Sequence, residues 1–290
     1  MVIHHHLLLS QQKERKMKKN LIMLAGCALA AATLWTVPAD AGYFHKTEFE
    51  MHMDFNRHKG FRDANGERIE QDILTATINH FSEWKYGDNF FFIDIEGKDD
   101  YKLEPAQYYG EFASRISLDK IILGPEKGNN LLGSFLKETY VKLEYNGGTP
   151  VNGYDYIDDA LLAGISFDLD LGQPNFGFSN ISFMYKNYTA IDSKDTSENR
   201  WQVTFCWGQP FSIGFLNFNF QGFMDVWEYN DKVVLLTEPQ FRLQLDSFVG
   251  KDNFLSSSAI GTEIEISTRF FSQDNSEVIV NPTIFWVTRF

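Results

Sequence analysis

Cysteine, basic charge and long apolar runs are all scarce in this chain, and each scarcity removes a class of protein. There are two cysteines, Cys27 and Cys206. The first falls in a leader-like segment, so a processed chain keeps Cys206 alone and has no internal disulfide. Lys and Arg number 26 against 39 Asp and Glu. Loss of residues 1–41 removes five bases and two acids, leaving 21 against 37 and a net charge of −16. No basic footprint for nucleic acid remains. Beyond residue 41 no apolar run approaches the ~20 residues of a membrane helix, which excludes a helical membrane protein. A Gly-rich phosphate loop, a zinc-type Cys/His set and a nucleophile elbow are missing too, so no metal and no cofactor is expected. Aromatics, by contrast, reach 16%, with 27 Phe. That is too aromatic for disorder.

The first 41 residues have the layout of an export signal. Lys16, Lys18 and Lys19 form a positive region, Leu21 to Val37 an apolar one, and Ala39-Asp40-Ala41 a small-x-small cleavage pattern. Cleavage there makes Gly42 the mature N-terminus. Met17 opens the unit so naturally that residues 1–16 are candidates for a misplaced start. Leu24-Ala25-Gly26-Cys27 offers a rival lipoprotein signal, but the apolar character continues well past Cys27, which favours cleavage after Ala41. The domain reading is a signal peptide over 1–41 and one β-barrel over 42–290.

From Thr47 onward the dominant period is two. Phe49, Met51, Met53 and Phe55 share one face while Glu48, Glu50, His52 and Asp54 share the other. Leu161, Ala163, Ile165 and Phe167 alternate with Gly164, Ser166 and Asp168. Trp201, Val203, Phe205 and Trp207 alternate with Gln202, Thr204 and Cys206. Val278, Val280, Pro282, Ile284, Trp286 and Phe290 oppose Asn281, Thr283 and Arg289. The whole pattern yields about twelve strands, each near the 9–11 residues of a tilted membrane strand.

A soluble β-sandwich also alternates, with its apolar side inward. Three features favour an antiparallel transmembrane β-barrel, all-β, in the outer membrane. Charges recur at successive positions of the polar face, as a water-filled interior allows. Aromatics gather near strand ends (Trp84 and Tyr86, Trp201 and Trp207), as interfacial girdles require. The chain stops on Phe290 at the end of an alternating strand, with Trp286 on the same face. Such a terminal aromatic looks like the recognition signal of the barrel-assembly machinery, a partner alongside outer-membrane lipid. Long polar outer loops are expected at 57–70, 97–107, 146–158 and 188–199, and short inner turns at 84–88, 172–176 and 208–211. The stretch 119–137 is too long and apolar for a simple turn, and either folds onto the barrel mouth or plugs it. Pro239 and Pro282, inside apparent strands, each mark a bulge or distortion.

The inward face carries Glu48, Glu50, His52, Asp54, Glu111, Arg115, Arg242, Glu263, Glu265 and Arg269. These residues either line a path for a small polar solute or pair with one another and close the lumen. Asp63-Ala64-Asn65-Gly66-Glu67 reads as a solvated turn, because it lacks the full spacing of a calcium loop. His80-Phe81-Ser82 places a base and a hydroxyl on one strand face. That spacing resembles the His-x-Ser of the outer-membrane phospholipase A family, but Glu83-Trp84 follows where the family has Asn-Gly. An ordinary histidine and serine at a strand end is favoured, and the chain is read as no enzyme.

Gly87-Asp88-Asn89-Phe90-Phe91-Phe92-Ile93-Asp94-Ile95 and Tyr109-Gly110-Glu111-Phe112-Ala113-Ser114-Arg115-Ile116-Ser117-Leu118-Asp119-Lys120 follow one another. Tyr185-Lys186-Asn187-Tyr188 and Asn199-Arg200-Trp201-Gln202-Val203 come later. In that order, these segments resemble the Tsx/OmpK-like nucleoside-specific outer-membrane channels. The resemblance implies a monomeric twelve-stranded barrel whose narrow pore admits nucleosides and related solutes. It transfers no individual binding residue. The functional expectation is a channel for small hydrophilic solutes, the alternative a closed barrel with a structural or surface-binding role.

Overall fold

Side chains that alternate between apolar and polar suit a pleated strand with two different environments on its faces. The computed structural model turns the alternation into β1 (His45–Arg62), β2 (Arg68–Trp84), β3 (Gly87–Lys98) and β4 (Lys102–Ser117). A short helix, α1 (Leu118–Leu123), precedes β5 (Leu136–Gly148), β6 (Ala160–Leu169), β7 (Phe178–Tyr188), β8 (Arg200–Ile213) and β9 (Leu216–Tyr229). Then come β10 (Lys232–Thr237), β11 (Gln240–Gln244), β12 (Ser258–Thr268) and β13 (Val278–Arg289). The structure describes residues 43–125, 130–133, 135–148, 160–172, 177–188, 200–229, 231–250, 253–270 and 276–290. None of the described helices is long and apolar enough to cross a membrane.

All neighbouring strands are antiparallel, and the sheet closes where β1 meets β13, from Glu48 opposite Arg289 to Asp54 opposite Thr283. β10 and β11 are two halves of one barrel strand. Thr237 faces Met224 and Ile266, and Gln240 faces Gln221 and Glu263, so both neighbours keep step across the gap. The thirteen pieces therefore make a closed barrel of twelve strands. Closure removes the edges that an open sheet would expose.

Each proline has its own consequence. Pro239 sits in the gap between β10 and β11, where its carbonyl still accepts from Ile264 N at 3.1 Å but it has no N–H to return. The ladder is interrupted without a shift of register. Pro282 lies within an unbroken β13, opposite Ile264 of β12. The irregularity appears in β1 instead, which bulges between Asp54 and Arg57 and carries Asn56 at φ 52°.

Tyr43 and Phe290 lie at the same end of the barrel, called the terminal end below; the turns after β1 and β3 lie at the far end. There β1 and β2 stay paired up to Arg62 and Arg68, leaving a turn over 63–67 where a loop over 57–70 was expected. β3 and β4 likewise extend to Lys98 and Lys102. Paired strands with polar residues on both faces persist there, and the alternation that marks a strand in sequence fades. The expected turn at 208–211 is a further correction. Those residues belong to β8, and the chain turns at Gly214, φ 62°. The expected loops 146–158 and 188–199 and the turn 172–176 fall mostly outside the described residues.

Candidate functional site

The outer face is apolar: Phe183, Trp201, Phe220, Phe241, Ile260 and Ile284 are all exposed. The opposite parity points inward and places charges from every part of the barrel in one lumen. Arg242 on β11 donates to Glu48 at 3.1 Å and to Glu50 at 2.8 Å, both on β1. Its guanidinium also lies 5.3 Å from the ring centre of Phe285. Arg242 is 1% exposed, Glu48 and Glu50 2% each. Burial on this scale is costly unless the charges meet. Glu48 receives Lys46 and Arg289 as well, each at 2.8 Å. Glu50 accepts from Asn79 at 2.7 Å. His52 stacks on Phe285 and places its two ring nitrogens 3.1 Å from Glu50 and 3.7 Å from Glu263.

A second group centres on Arg57. The bulge at Asn56 shifts the parity of β1 by one, so Arg57 points inward like Asp54. It meets Asp54 at 3.1 Å, Glu96 at 2.9 Å and Glu265 at 2.9 Å, joining β1, β3 and β12. Lys59 reaches Glu96 and Gln107, each at 3.2 Å. Thr283 donates its hydroxyl to Asp54, and Asn281 its amide to Glu265 at 2.8 Å.

On the other wall Arg115 grips Asp88 through Nε and Nη2 at 2.8 and 2.7 Å and reaches Asp168 at 2.7 Å. The ring of Tyr140 lies 4.1 Å beneath the guanidinium, and its hydroxyl donates to Asp168 at 3.0 Å. Lys142 meets Glu144 at 2.6 Å. Lys186 donates to Gln202 at 2.9 Å over the ring of Trp227.

Several lumen carboxylates also accept from uncharged side chains. Thr77 donates to Asp94, Tyr109 to Glu111 and Thr204 to Asp225, each at 2.5 Å. Glu263 accepts from Gln240, also at 2.5 Å. No group of three or more His, Cys, Asp or Glu among the described residues is arranged to hold a metal ion.

Glu48, Glu50, His52, Asp54, Arg242, Glu263 and Glu265 come together on one side of the lumen, and Glu111 and Arg115 lie on the other. Arg269 lies outside the strand on which the expectation rested. It follows the last residue of β12 with φ 61°, so strand parity does not reach it. Arg57, Lys59, Asp88, Asp94, Glu96, Lys142, Glu144, Asp168 and Asp225 were not singled out from sequence. For Asp94, Lys142 and Glu144 the signal was there, since Asp94 lies between Ile93 and Ile95, and Lys142 and Glu144 alternate with Val141, Leu143 and Tyr145. For Arg57 it was not, because a bulge has to be known first.

Trp286 and Phe290 stand on the outer face. Phe290 donates its backbone N–H to Thr47 O at 3.1 Å. His80 and Ser82 are also on outward positions, but His80 Nδ1 bonds Thr47 Oγ1 at 2.8 Å and its ring stacks on Phe91. Its described partner is thus a threonine and not Ser82. Ala39, Ala41 and Gly42 lie outside the described residues.

A family model described as "Domain of unknown function (DUF5020)" matches residues 129–289, more than half of the chain. The chain belongs to this family. No curated protein matches the DUF5020 chain. Among solved structures, the KdgM porin superposes with a TM-score of 0.44 at 5% identity, over 84% of this chain and 99% of its own. The NanC porin does so with a TM-score of 0.46 at 7% identity, over 83% and 98%. OprB of Pseudomonas putida follows with a TM-score of 0.34 at 8% identity, over 87% and 93%.

Proposed function

We propose that this chain is a monomeric outer-membrane barrel that passes small hydrophilic solutes through a narrow, charge-lined lumen. The observation that carries the reading is the division of residues by face. Large apolar side chains cover the outside of a closed barrel, while its inside collects Glu48, Glu111, Arg115, Arg242 and Glu263. A soluble barrel places its apolar face within. Export through a signal cleaved after Ala41, and recognition of Phe290 by the assembly machinery, belong to the same proposal. Nucleosides are the finer reading, supported by the resemblance of segments 87–95 and 109–120 to the nucleoside channels.

A second reading is favoured by the near-complete burial of Arg242, Glu48 and Glu50: ion pairs close the lumen, and the barrel serves a structural or surface-binding role. Planar-bilayer recording separates the two. Discrete unit openings support the channel, and their absence from correctly folded, heat-modifiable protein sinks it. Liposome swelling with nucleosides, sugars and amino acids then tests the permeant. Equal rates for all three would remove the nucleoside reading.

A further inference from the structure

Turns that face water are ordinarily polar, because their side chains gain nothing from exposure when apolar. The described tips at the far end mostly obey this, with Asp63–Glu67, Asp99-Asp100 and Asp231; their aromatics Tyr101 and Phe270 pack on Phe55 and Trp227, and Leu103, just inside β4, is the exposed exception. The terminal end does not. Trp84 stands at the β2–β3 turn, Ile122 between β4 and β5, Leu171 after β6, Phe215 between β8 and β9, Phe248 after β11, and Phe290 at the end of β13. Ile122 is 62% exposed and Phe215 72%.

The exposure of Ile122 is built in by its neighbours. Ser117 caps α1, its Oγ accepting from Lys120 N at 3.1 Å. Asp119, buried, accepts from Leu131 N at 3.3 Å and Thr139 N at 3.1 Å. Lys120 meets Glu138 at 3.0 Å. The polar side chains of the helix are thereby tied to the barrel, and Ile121, Ile122 and Leu123 are left outward. The helix that opens the stretch 119–137, which sequence suggested as a mouth cover or plug, thus turns an apolar surface away from the barrel.

Resting on the membrane reading above, we propose that the terminal end of the barrel is sunk into the periplasm-facing leaflet, with α1 as a foot embedded among phospholipids. Two observations select lipid as the occupant. The apolar residues recur at every connection on this end, all round the barrel, so they define a plane, whereas one docked protein would need a one-sided patch. They also lie next to the apolar outer face: Phe211, Phe218 and Phe241 pack on one another at 5.3 to 5.7 Å near the ends of β8, β9 and β11, and beyond these strand ends Phe215 and Phe248 pack on each other at 6.2 Å.

The test uses nitroxide labels in vesicles of phosphatidylethanolamine and phosphatidylglycerol, with Cys27 and Cys206 replaced by Ser. Single cysteines are placed at Ile122 and Phe215, with Ile284 as the lipid-facing reference and Asn65 as the aqueous one. A label at Leu123 substitutes for Ile122 if that variant loses its heat-modifiable form. Ile122 and Phe215 should be open to oxygen and shielded from a water-soluble nickel chelate, at depths between the two references. Chelate access equal to that at Asn65, with Ile284 still shielded, overturns the foot alone. Shielding from both reagents means contact with protein and also overturns it. Chelate access at Ile284 itself overturns the membrane reading and the foot together.

Discussion

The side-chain amide of Asn281 on β13 takes the place of a strand for the backbone of His58: His58 N donates to Asn281 Oδ1 and Asn281 Nδ2 donates to His58 O, both at 3.1 Å. The substitution occurs just past Pro282, where regular pairing between β13 and β1 stops. A buried backbone pair that has lost its ladder is satisfied by one side chain with the same donor and acceptor. Asn281→Leu leaves both groups without that partner and should destabilise the barrel by about 2 kcal/mol. Urea unfolding of the vesicle-inserted protein measures this. An unchanged midpoint would mean that water replaces the amide.

The far-end turn after β1 gives a pH prediction outside the lumen. Asp63 Oδ1 accepts from Glu67 N at 2.9 Å and Asn65 N at 2.8 Å, while Gly66 turns the chain at φ 84°. The backbone hydrogen bond from Glu67, ahead of that from Asn65, holds the carboxyl below its ordinary value of 3.8. A carboxyl with a depressed folded value stabilises the turn above the ordinary value, and the stabilisation is lost as pH falls through the lower one. Protection of the Glu67 amide from hydrogen exchange should therefore drop on acidification below pH 3.8. In Asp63→Ala the amide should lack that protection already at neutral pH; equal protection in both chains counts against the turn.

How much of this was legible in the chain differs from residue to residue. The β13 alternation, Val278 through Trp286 against Asn281 and Thr283, is a local pattern and translates directly into two faces. Arg57 is opposite in kind: its inward aim depends on a left-handed Asn56, and nothing in Phe55-Asn56-Arg57 announces the shift. Arg269 lies beyond the reach of the same argument, since parity ends where φ turns positive. The partners of Arg242 are 194 and 192 positions away, so only closure of the barrel joins them to it. Pro239 reads as an obstacle in sequence, yet its neighbours keep register because flanking residues on both sides still pair.

That same proline supplies a prediction. Its carbonyl is bonded to Ile264 N, so the nitrogen faces the same strand without a hydrogen to give. Pro239→Val restores the donor on an outward position and should stabilise the barrel by about 1 kcal/mol, read in the same unfolding assay. A loss of stability would show that the fixed proline backbone matters more than the missing bond.

Phe290 separates assembly from stability. Its side chain is 75% exposed on the outer face, and past the last paired residue, Arg289, its backbone N–H still donates to Thr47 O of β1. Deleting it removes few contacts from the finished barrel. The heat-modifiable fraction in cells should fall clearly, while the unfolding free energy of protein refolded in vesicles should fall by only about 1 kcal/mol, the worth of one hydrogen bond at the strand end. Normal accumulation of folded barrel in cells would argue against a terminal recognition signal.

Arg242 decides between an open and a closed lumen. Removing one partner of a buried ion pair leaves charge unpaired and costs about 3–5 kcal/mol, whereas removing all partners together is often close to neutral. Arg242→Ala should be strongly destabilised, because Glu48 and Glu50 lose their shared cation on the buried side. The triple change Arg242→Met, Glu48→Gln, Glu50→Gln should recover most of that loss, since Lys46 and Arg289 keep access to water at 28% and 38% exposure. Conductance then supplies the second readout. If the cluster narrows a working pore, the triple variant should show a changed unit conductance while the wild type still opens. If the cluster is the closure itself, only the triple variant should open. A stable triple variant whose conductance matches the wild type would place the constriction elsewhere, at Arg115 and its carboxylates.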